Sequence, residues 1–596
     1  MSDPDKALNN DDYDLSKQLD ISVGLKKNLT SYGDQHFSLF LRKVFIKALG
    51  LSDDALSRPI IGIINTFSGF NPCHGNVPQL IEATKRGILL KGGLPIEFPT
   101  ISLHEAFSSP TSMFLRNLMS MDTEEMIKAQ PMDACVMIGA QLMGGISANR
   151  PILPLVTGPM MPGSHRGKRL GACTDCRSNW AAFRAGNIDM EDISALNEEL
   201  APTIGTCGIM GTASTMACIT AALGLMPLRG ATAPAVSSAR LRIAEETGMN
   251  AVQAAQTQLL PQTMLTKENF LNAITVLQAL GGSTNAIIHL LAIINRHPTL
   301  AGQITLDTID AIGRRTPLLL DLKPSGENYM TDFHNAGGML ALMHTLAPLL
   351  HLDTQTISGS SLRTILSTNP FRPFPLSHSI IRPLSTPLAP NSSLVVLRGN
   401  IAPEGCILKA SASLLKPLLT HRAPCLVFSS PADMAARIDD PHLPVSPSTV
   451  LILQTIGPRA GPGMPEAGLI PIPRKLALQG VRDMLRISDG RMSGTAGGTV
   501  VLHVSPEAAV VDSVFGVVRS GDWVAVDVER RFIGVELGEE EIGRRIAERR
   551  EGRGGGGVGQ REAATRGYRA LYERTVNQAH EGCDFEFLRS EPRVLP

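Results

Sequence analysis

The chain has 596 residues with 55 Lys+Arg against 55 Asp+Glu, so no global charge favours nucleic acid or an anionic membrane, and small molecules are the expected partners. At 43% hydrophobic residues it can bury large cores, and its length exceeds what one core supports, so two or more domains are expected. No apolar run reaches the roughly 20 residues that span a bilayer, and the acidic start MSDPDKALNNDDYDLSKQ carries neither a signal segment nor transit-peptide character, which favours the cytoplasm.

Residues 1–40 read as an N-terminal extension. From 41 to 368 short apolar runs alternate with amphipathic stretches, the pattern of an α/β domain. The spacing predicts strands at Ile60 to Ile64 and Ala134 to Ile138, a helix over Leu80 to Leu90 that stops at Gly92-Gly93, and a helix over Ala286 to Asn295. Residues 369–393 (NPFRPFPLSHSIIRPLSTPLAPNSS) are rich in Pro and Ser and read as an extended inter-domain connection. Beyond them LVVLRGNIA, CLVF, TVLILQ, TVVLHV, GVV and WVAVDV are short β-rich runs between turns, so 394–590 is expected to be a smaller β-rich domain, with a barrel or closed sheet preferred. GEEEIGRRIAERREGRGGGGVGQRE reads as a solvated helix face followed by a glycine loop.

Nine cysteines at irregular spacing argue against a disulfide framework. Cys135, Cys218 and Cys425 lie in apolar surroundings and read as buried small hydrophobes. Cys173 and Cys176 form a CxxC, but no second pair stands at zinc spacing. Cys73, in Asn71-Pro72-Cys73-His74-Gly75-Asn76, follows the strand-like IGIINT and so occupies a turn past a strand end, where open α/β sheets hold ligands. Glu105 closes FPTISLHE in a comparable position, and Cys207 precedes a helix start at Gly211 to Thr215.

Similar starts recur at Gly281 to Asn285 and at Ser493-Gly494-Thr495, each able to offer free N–H groups to a carboxylate or phosphate. Ordinary capping explains any one of them; three together suggest an acidic substrate, with Ser214, Thr215, Ser283 and Thr284 as candidate binding residues. Glu466 in a Pro/Gly turn and Ser493 after an Arg-Met pair place polar chemistry on turns, although each alone also fits a helix cap. A serine hydrolase built on Ser493 lacks the GxSxG elbow and a sequence-visible histidine partner.

The strings NPCHGN, FPTISLHE, GTASTMA, GGSTNAIIHLLA, DFHNAGGM, VVLRGNIAPEG, PGMPEAG and DGRMSGTAGGTVVLHVSPEAA, in this order, resemble the dihydroxy-acid and phosphogluconate dehydratase family. LGACTDCRSNW and SGTAGGTVVLHV resemble its sugar-acid branch, typified by L-arabinonate dehydratase. The resemblance runs from about Arg42 to Phe587. It implies a hydro-lyase that converts a 2,3-dihydroxy acid or aldonate to a 2-oxo acid, with a [2Fe-2S] cluster and Mg²⁺ between a larger α/β and a smaller β-rich domain, in a homodimer or homotetramer. It further implies Cys73 and Cys207 as cluster ligands, Glu105 and Glu466 as Mg²⁺ ligands and Ser493 as the base. Such chemistry needs a Lewis acid for the developing enolate and an open metal position for the departing hydroxyl.

The resemblance breaks at one place. Family members carry a Gly-Cys-Asp-Lys-Thr loop, which supplies the third cluster cysteine and two Mg²⁺ ligands, where this chain reads CVMIGAQLMGGISANRP. About seven residues are absent, a span of at most about 25 Å. Gln141 and Met143 are poor replacements, and Cys135 lies within a strand. Three readings remain: a coding stretch wrongly spliced out of an intact enzyme, a paralogue or splice form serving as a non-catalytic oligomeric or acid-binding protein, or a different metal arrangement. The first is preferred because every other motif is intact.

Overall fold

In the first half of the chain, β1 (Ile60–Asn65), β2 (Leu94–Pro99), β3 (Ala134–Ile138) and β4 (Ile152–Leu155) form a parallel sheet in the order β2-β1-β3-β4. This is a computed structural model, and it describes residues 15–16, 23–29, 32–139, 141–391, 393–552 and 564–590. Most of the 1–40 extension and the glycine run at 554–557 lie outside the described residues.

β1 and β3 are buried along nearly their whole length, as their unbroken apolar runs require of strands covered on both faces. The predicted helices are present as Val77–Leu90 and Asn285–Arg296. Val77–Leu90 packs on Ser238–Thr257 so closely that a Cβ on Gly87 would lie 1.9 Å from the Glu245 carbonyl and one on Gly248 2.3 Å from that of Thr84. Only glycine permits that approach. Cys135, Cys218 and Cys425 are buried as expected, and so are Cys406 and Cys583.

The second half closes on itself. A short hairpin, β5 (Gly163–His165) and β6 (Lys168–Leu170), precedes it in the first half. Then β7 (Val395–Gly399), β8 (Ala402–Leu408), β9 (Thr420–Phe428), β10 (Val450–Leu453), β11 (Arg486–Ser488), β12 (Val500–Ser505), β13 (Trp523–Asp527) and β14 (Phe532–Val535) form a closed barrel in the order β10-β11-β12-β8-β7-β14-β13-β9. Alternation along the strands sorts the side chains: Val395 and Leu397 fill one core with Cys406, Ile487 and Val501, while Val396 and Ile407 join the core of the first half. The barrel is thereby packed onto the α/β half by its outer face.

Two expectations need correction. The GVV run is a 3-10 turn, Phe515–Val517, not a strand; Gly516 sits against the Ala508 carbonyl and Arg549, which leaves no room for a neighbouring strand there. The connection 369–393 is not simply extended: Pro375–Ile380 is helical, with proline at its first position, and Ile381 and Ala389 pair with Leu320 and Leu318.

Candidate active site

All four parallel strands deliver their C-terminal ends to one place, as the crevice rule for open sheets requires. β1 leads to the 3-10 turn Pro72–His74 that carries Cys73, and β2 leads to the turn Glu105–Phe107. β3 ends at Gly139, where a Cβ would lie 2.7 Å from the His74 ring. Beyond β4, Pro159 bridges to Thr206, next to Cys207.

The asparagines of NPCHGN act as clamps. Asn71 Nδ2 donates to Ser102 Oγ (3.1 Å) and to the Leu103 carbonyl (3.0 Å), tying the Cys73 turn to the Glu105 loop. Asn76 Nδ2 donates to Thr157 O (2.9 Å) beyond β4. Gly205 N donates to Pro72 O (3.4 Å), which holds the Cys207 segment against the same turn.

Two groups of side chains result. In the first, Cys207 Sγ lies 2.8 Å from Cys173 Sγ, and Cys73 is close enough to both for their charges to interact. Burial, with Cys173 nearby, pushes the Cys73 thiol up to about 11. The contact with Cys207 lowers Cys173, and the contact and burial together raise Cys207.

In the second group Arg491 joins the two predicted carboxylates. Its Nη2 lies 3.1 Å from both oxygens of Glu105, and its Nη1 3.0 Å from Glu466 Oε1. Thr111 Oγ1 donates to Glu105 at 2.6 Å, and the Ser112 hydroxyl donates to it as well. Burial raises Glu105, but Arg491 and the two hydroxyls outweigh it and hold the carboxyl below its usual range. Glu466 goes the other way: burial raises it more than Arg491 lowers it, and the Glu105 charge adds to the rise. His289 and His503 lie near Arg491 and are kept neutral, first by burial and then by neighbouring arginine charge.

Ser493 links the groups. Its Oγ is 2.7 Å from Thr495 Oγ1, and the Thr495 side chain hydrogen-bonds Cys173. Contrary to the sequence expectation, Ser493-Gly494-Thr495 does not start a helix; Gly498, at φ +116°, and the β-branched Val500-Val501 carry the segment into β12. Helices Thr212–Ala222 and Asn285–Arg296 do direct their N-termini here. A Cβ on Gly494 would lie 2.5 Å from Ser283 Oγ and 3.0 Å from Thr212 N. Asn285 Nδ2 spans the junction, reaching Met492 O (3.1 Å), Thr212 Oγ1 (3.2 Å) and Glu466 Oε1 (3.3 Å).

The four hydroxyl candidates differ. Ser283 Oγ bonds Thr212 Oγ1 at 2.9 Å and accepts from Asn285 N, and the buried Thr284 Oγ1 has no partner among the described residues. Ser214 donates to Cys207 O (3.3 Å). Thr215 is fully buried between Gly211 O and Ser283 N, so it holds the two helix starts together.

In the sequence Cys173 and Thr495 stand out only as part of a CxxC and of an expected helix start, and Arg177 and Arg491 carry no assigned role. Half-buried Arg177 lies close enough to Cys173 and Glu466 for its charge to lower both. A cation one helical turn beyond Cys173 was the signal available.

The thiols suit an iron–sulfur cluster: soft donors from separate elements converge at one point. No group of three or more His, Cys, Asp or Glu among the described residues could hold a single metal ion. The carboxylates accordingly do not fit Mg²⁺. Among the described residues two carboxylates meet there, and both already share one guanidinium where a hard cation needs six or so oxygens. Among the described residues no helix is long and apolar enough to cross a membrane.

Residues 58–365 match the N-terminal region of the dihydroxy-acid/6-phosphogluconate dehydratases, and residues 379–583 match the C-terminal region. Relatives include a putative dehydratase of Rhizobium meliloti (strain 1021), 40% identical over 94% of this chain and 97% of its own. A 6-deoxy-6-sulfo-D-gluconate dehydratase of Pseudomonas putida is 39% identical over 93% and 95%, and an L-arabonate dehydratase of Azospirillum brasilense 40% over 94% and 96%.

Proposed function

Since the chain belongs to the dihydroxy-acid/6-phosphogluconate dehydratase family, we propose that it is a hydro-lyase acting on a sugar acid of the aldonate type and releasing a 2-oxo acid. The observation that carries this reading is the position of the Ser493–Thr495 hydroxyl pair, between three thiols and the Glu105–Arg491–Glu466 bridge, with two helix N-termini beside it.

The substrate carboxylate is taken up by Arg177 and the N–H groups that open Thr212–Ala222, where an anion is favoured by charge and by a helix start with no side-chain cap. Ser493 Oγ removes the proton from the carbon next to that carboxylate. A serine hydroxyl is a weak base until ionised, and the Thr495 O–H donates to the resulting alkoxide. The hydroxyl on the neighbouring carbon leaves as water with the proton that Ser493 had taken, which returns the serine to its alkoxide, and the enol becomes the 2-oxo acid. A [2Fe-2S] cluster, held by Cys73 and Cys207, would supply a Lewis-acidic iron for that departing oxygen. Arg491 fixes the carboxylates on the far side, and no step is routed through Mg²⁺.

Self-association into a homodimer or homotetramer belongs to the same proposal, supported by the exposed apolar side chains of Phe45, Leu49, Phe67 and Phe70. The shortened segment after Gly139 favours a second reading, a non-catalytic acid-binding paralogue. Anaerobic assay of the purified chain for 2-oxo acid formation from aldonates separates the two: product supports the dehydratase, and aldonate binding without turnover supports the paralogue.

A further inference from the structure

We propose that Cys173 is the third thiolate of the iron–sulfur site, serving in place of the cysteine that the resembled family carries after β3. The inference rests on the dehydratase reading and adds a ligand to it.

Cys173 and Cys207 come from separate elements, 34 residues apart, yet their sulfurs meet at 2.8 Å, and Cys73 interacts electrostatically with both. Three thiolates leave one of the four outer positions of a two-iron cluster open, as a departing substrate oxygen requires. Two sulfurs on one tetrahedral metal, each about 2.3 Å from it, stand about 3.8 Å apart, so the Cys173–Cys207 pair has to open by only about 1 Å, within the reach of side-chain torsions. A two-iron cluster divides its ligands between its two metals, so the three sulfurs need not meet around one ion.

Cys173 is also built to stay in place. It lies in the first turn of helix Ala172–Arg184, where partial positive charge favours a thiolate. That turn is locked from three directions. Asp175 accepts from Gly171 N, from Lys323 Nζ (2.8 Å) and from the Tyr329 hydroxyl (3.1 Å), and Thr174 Oγ1 donates to Thr495 O (2.7 Å). β3 ends at Gly139 against the ring of His74, the residue that follows Cys73 in the chain. Ligation requires each thiol to release its proton to solvent as its sulfur donates a pair to iron. Cys176, one turn further on, is exposed and serves as the control.

The test uses the full chain, reconstituted without oxygen with iron and sulfide. Wild type is expected to hold about two irons and two sulfides per chain. Cys173→Ser, Cys73→Ser and Cys207→Ser should each lose most of that content, and Cys176→Ser should keep it. Cys173→Ser with wild-type iron content, beside a depleted Cys207→Ser, overturns the proposal and leaves the dehydratase reading standing. A wild type that takes up no iron or sulfide overturns both. Alkylation by iodoacetamide, read by peptide mass spectrometry on wild type alone, does not depend on the folding of any variant. Reconstitution should slow labelling of Cys173 about tenfold or more while Cys176 labels as before. Equal labelling of Cys173 with and without the cluster also overturns the proposal.

Discussion

Replacing Arg491 by methionine keeps an apolar stem of similar length and removes the charge between Glu105 and Glu466. Arg491 is 6% exposed and faces Glu105 (35%) and Glu466 (19%). Removing one member of a buried charge cluster costs about 3–5 kcal/mol; because Glu105 keeps some water, the lower end, about 3 kcal/mol, is expected here. With a urea dependence of about 3 kcal/mol per molar, the unfolding midpoint should fall by about 1 M at pH 7. The sign of the pH dependence follows from Glu105. Its carboxyl is depressed in the folded chain, so its contribution is full above the unfolded value of about 4.3 and is lost as pH falls through the folded value. The variant lacks that contribution, so its deficit should shrink toward pH 4. Urea titrations followed by circular dichroism at both pH values provide the check. A shift below about 0.3 M at pH 7, or an equal shift at pH 4, would refute the account of the bridge.

Ser493→Ala should lower turnover by about 10²–10⁴-fold while leaving iron content unchanged; retained activity would refute the base assignment. Arg177→Gln should raise KM about tenfold or more with a smaller change in kcat, the loss expected of one charged hydrogen bond to a carboxylate. Lys409 is fully buried, its Nζ has no partner among the described residues, and burial lowers it to about 7. Its folded value is depressed, so its contribution is complete only above the unfolded value of about 10.4 and is lost as pH falls toward 7. Lys409→Met should therefore be more stable than wild type at pH 7 by a few kcal/mol, with a gain that fades by pH 10, as measured by urea midpoints across that range.

Much of the architecture was legible in local pattern. The run Ala134–Ile138 is apolar throughout because both faces of β3 are covered, and Asn285–Arg296 is apolar over most of its length because the helix is buried on all sides. The barrel was readable as short β-branched runs between turns, but GVV shows that composition without a pairing partner does not make a strand. Ser493-Gly494-Thr495 looked like a helix start because Gly, Ser and Thr suit caps; the residues that decide otherwise, Gly498 and Val500, lie farther along.

At the site, Cys73, Glu105, Cys207, Glu466 and Ser493 were legible from turns past strand ends and from resemblance, and the structure gathers them. Cys173 was not, because its partner is 34 residues away and a CxxC is ordinarily judged by zinc spacing. Arg491 was passed over because nothing in GRMSG shows that its guanidinium reaches two carboxylates, one of them 386 residues distant.

The most direct measurement is 2-oxo acid formation by the chain reconstituted with iron and sulfide, offered L-arabinonate and related aldonates, beside Ser493→Ala. The account predicts product from wild type and none above background from the variant. A fully loaded wild type that binds aldonates and releases no 2-oxo acid would contradict it.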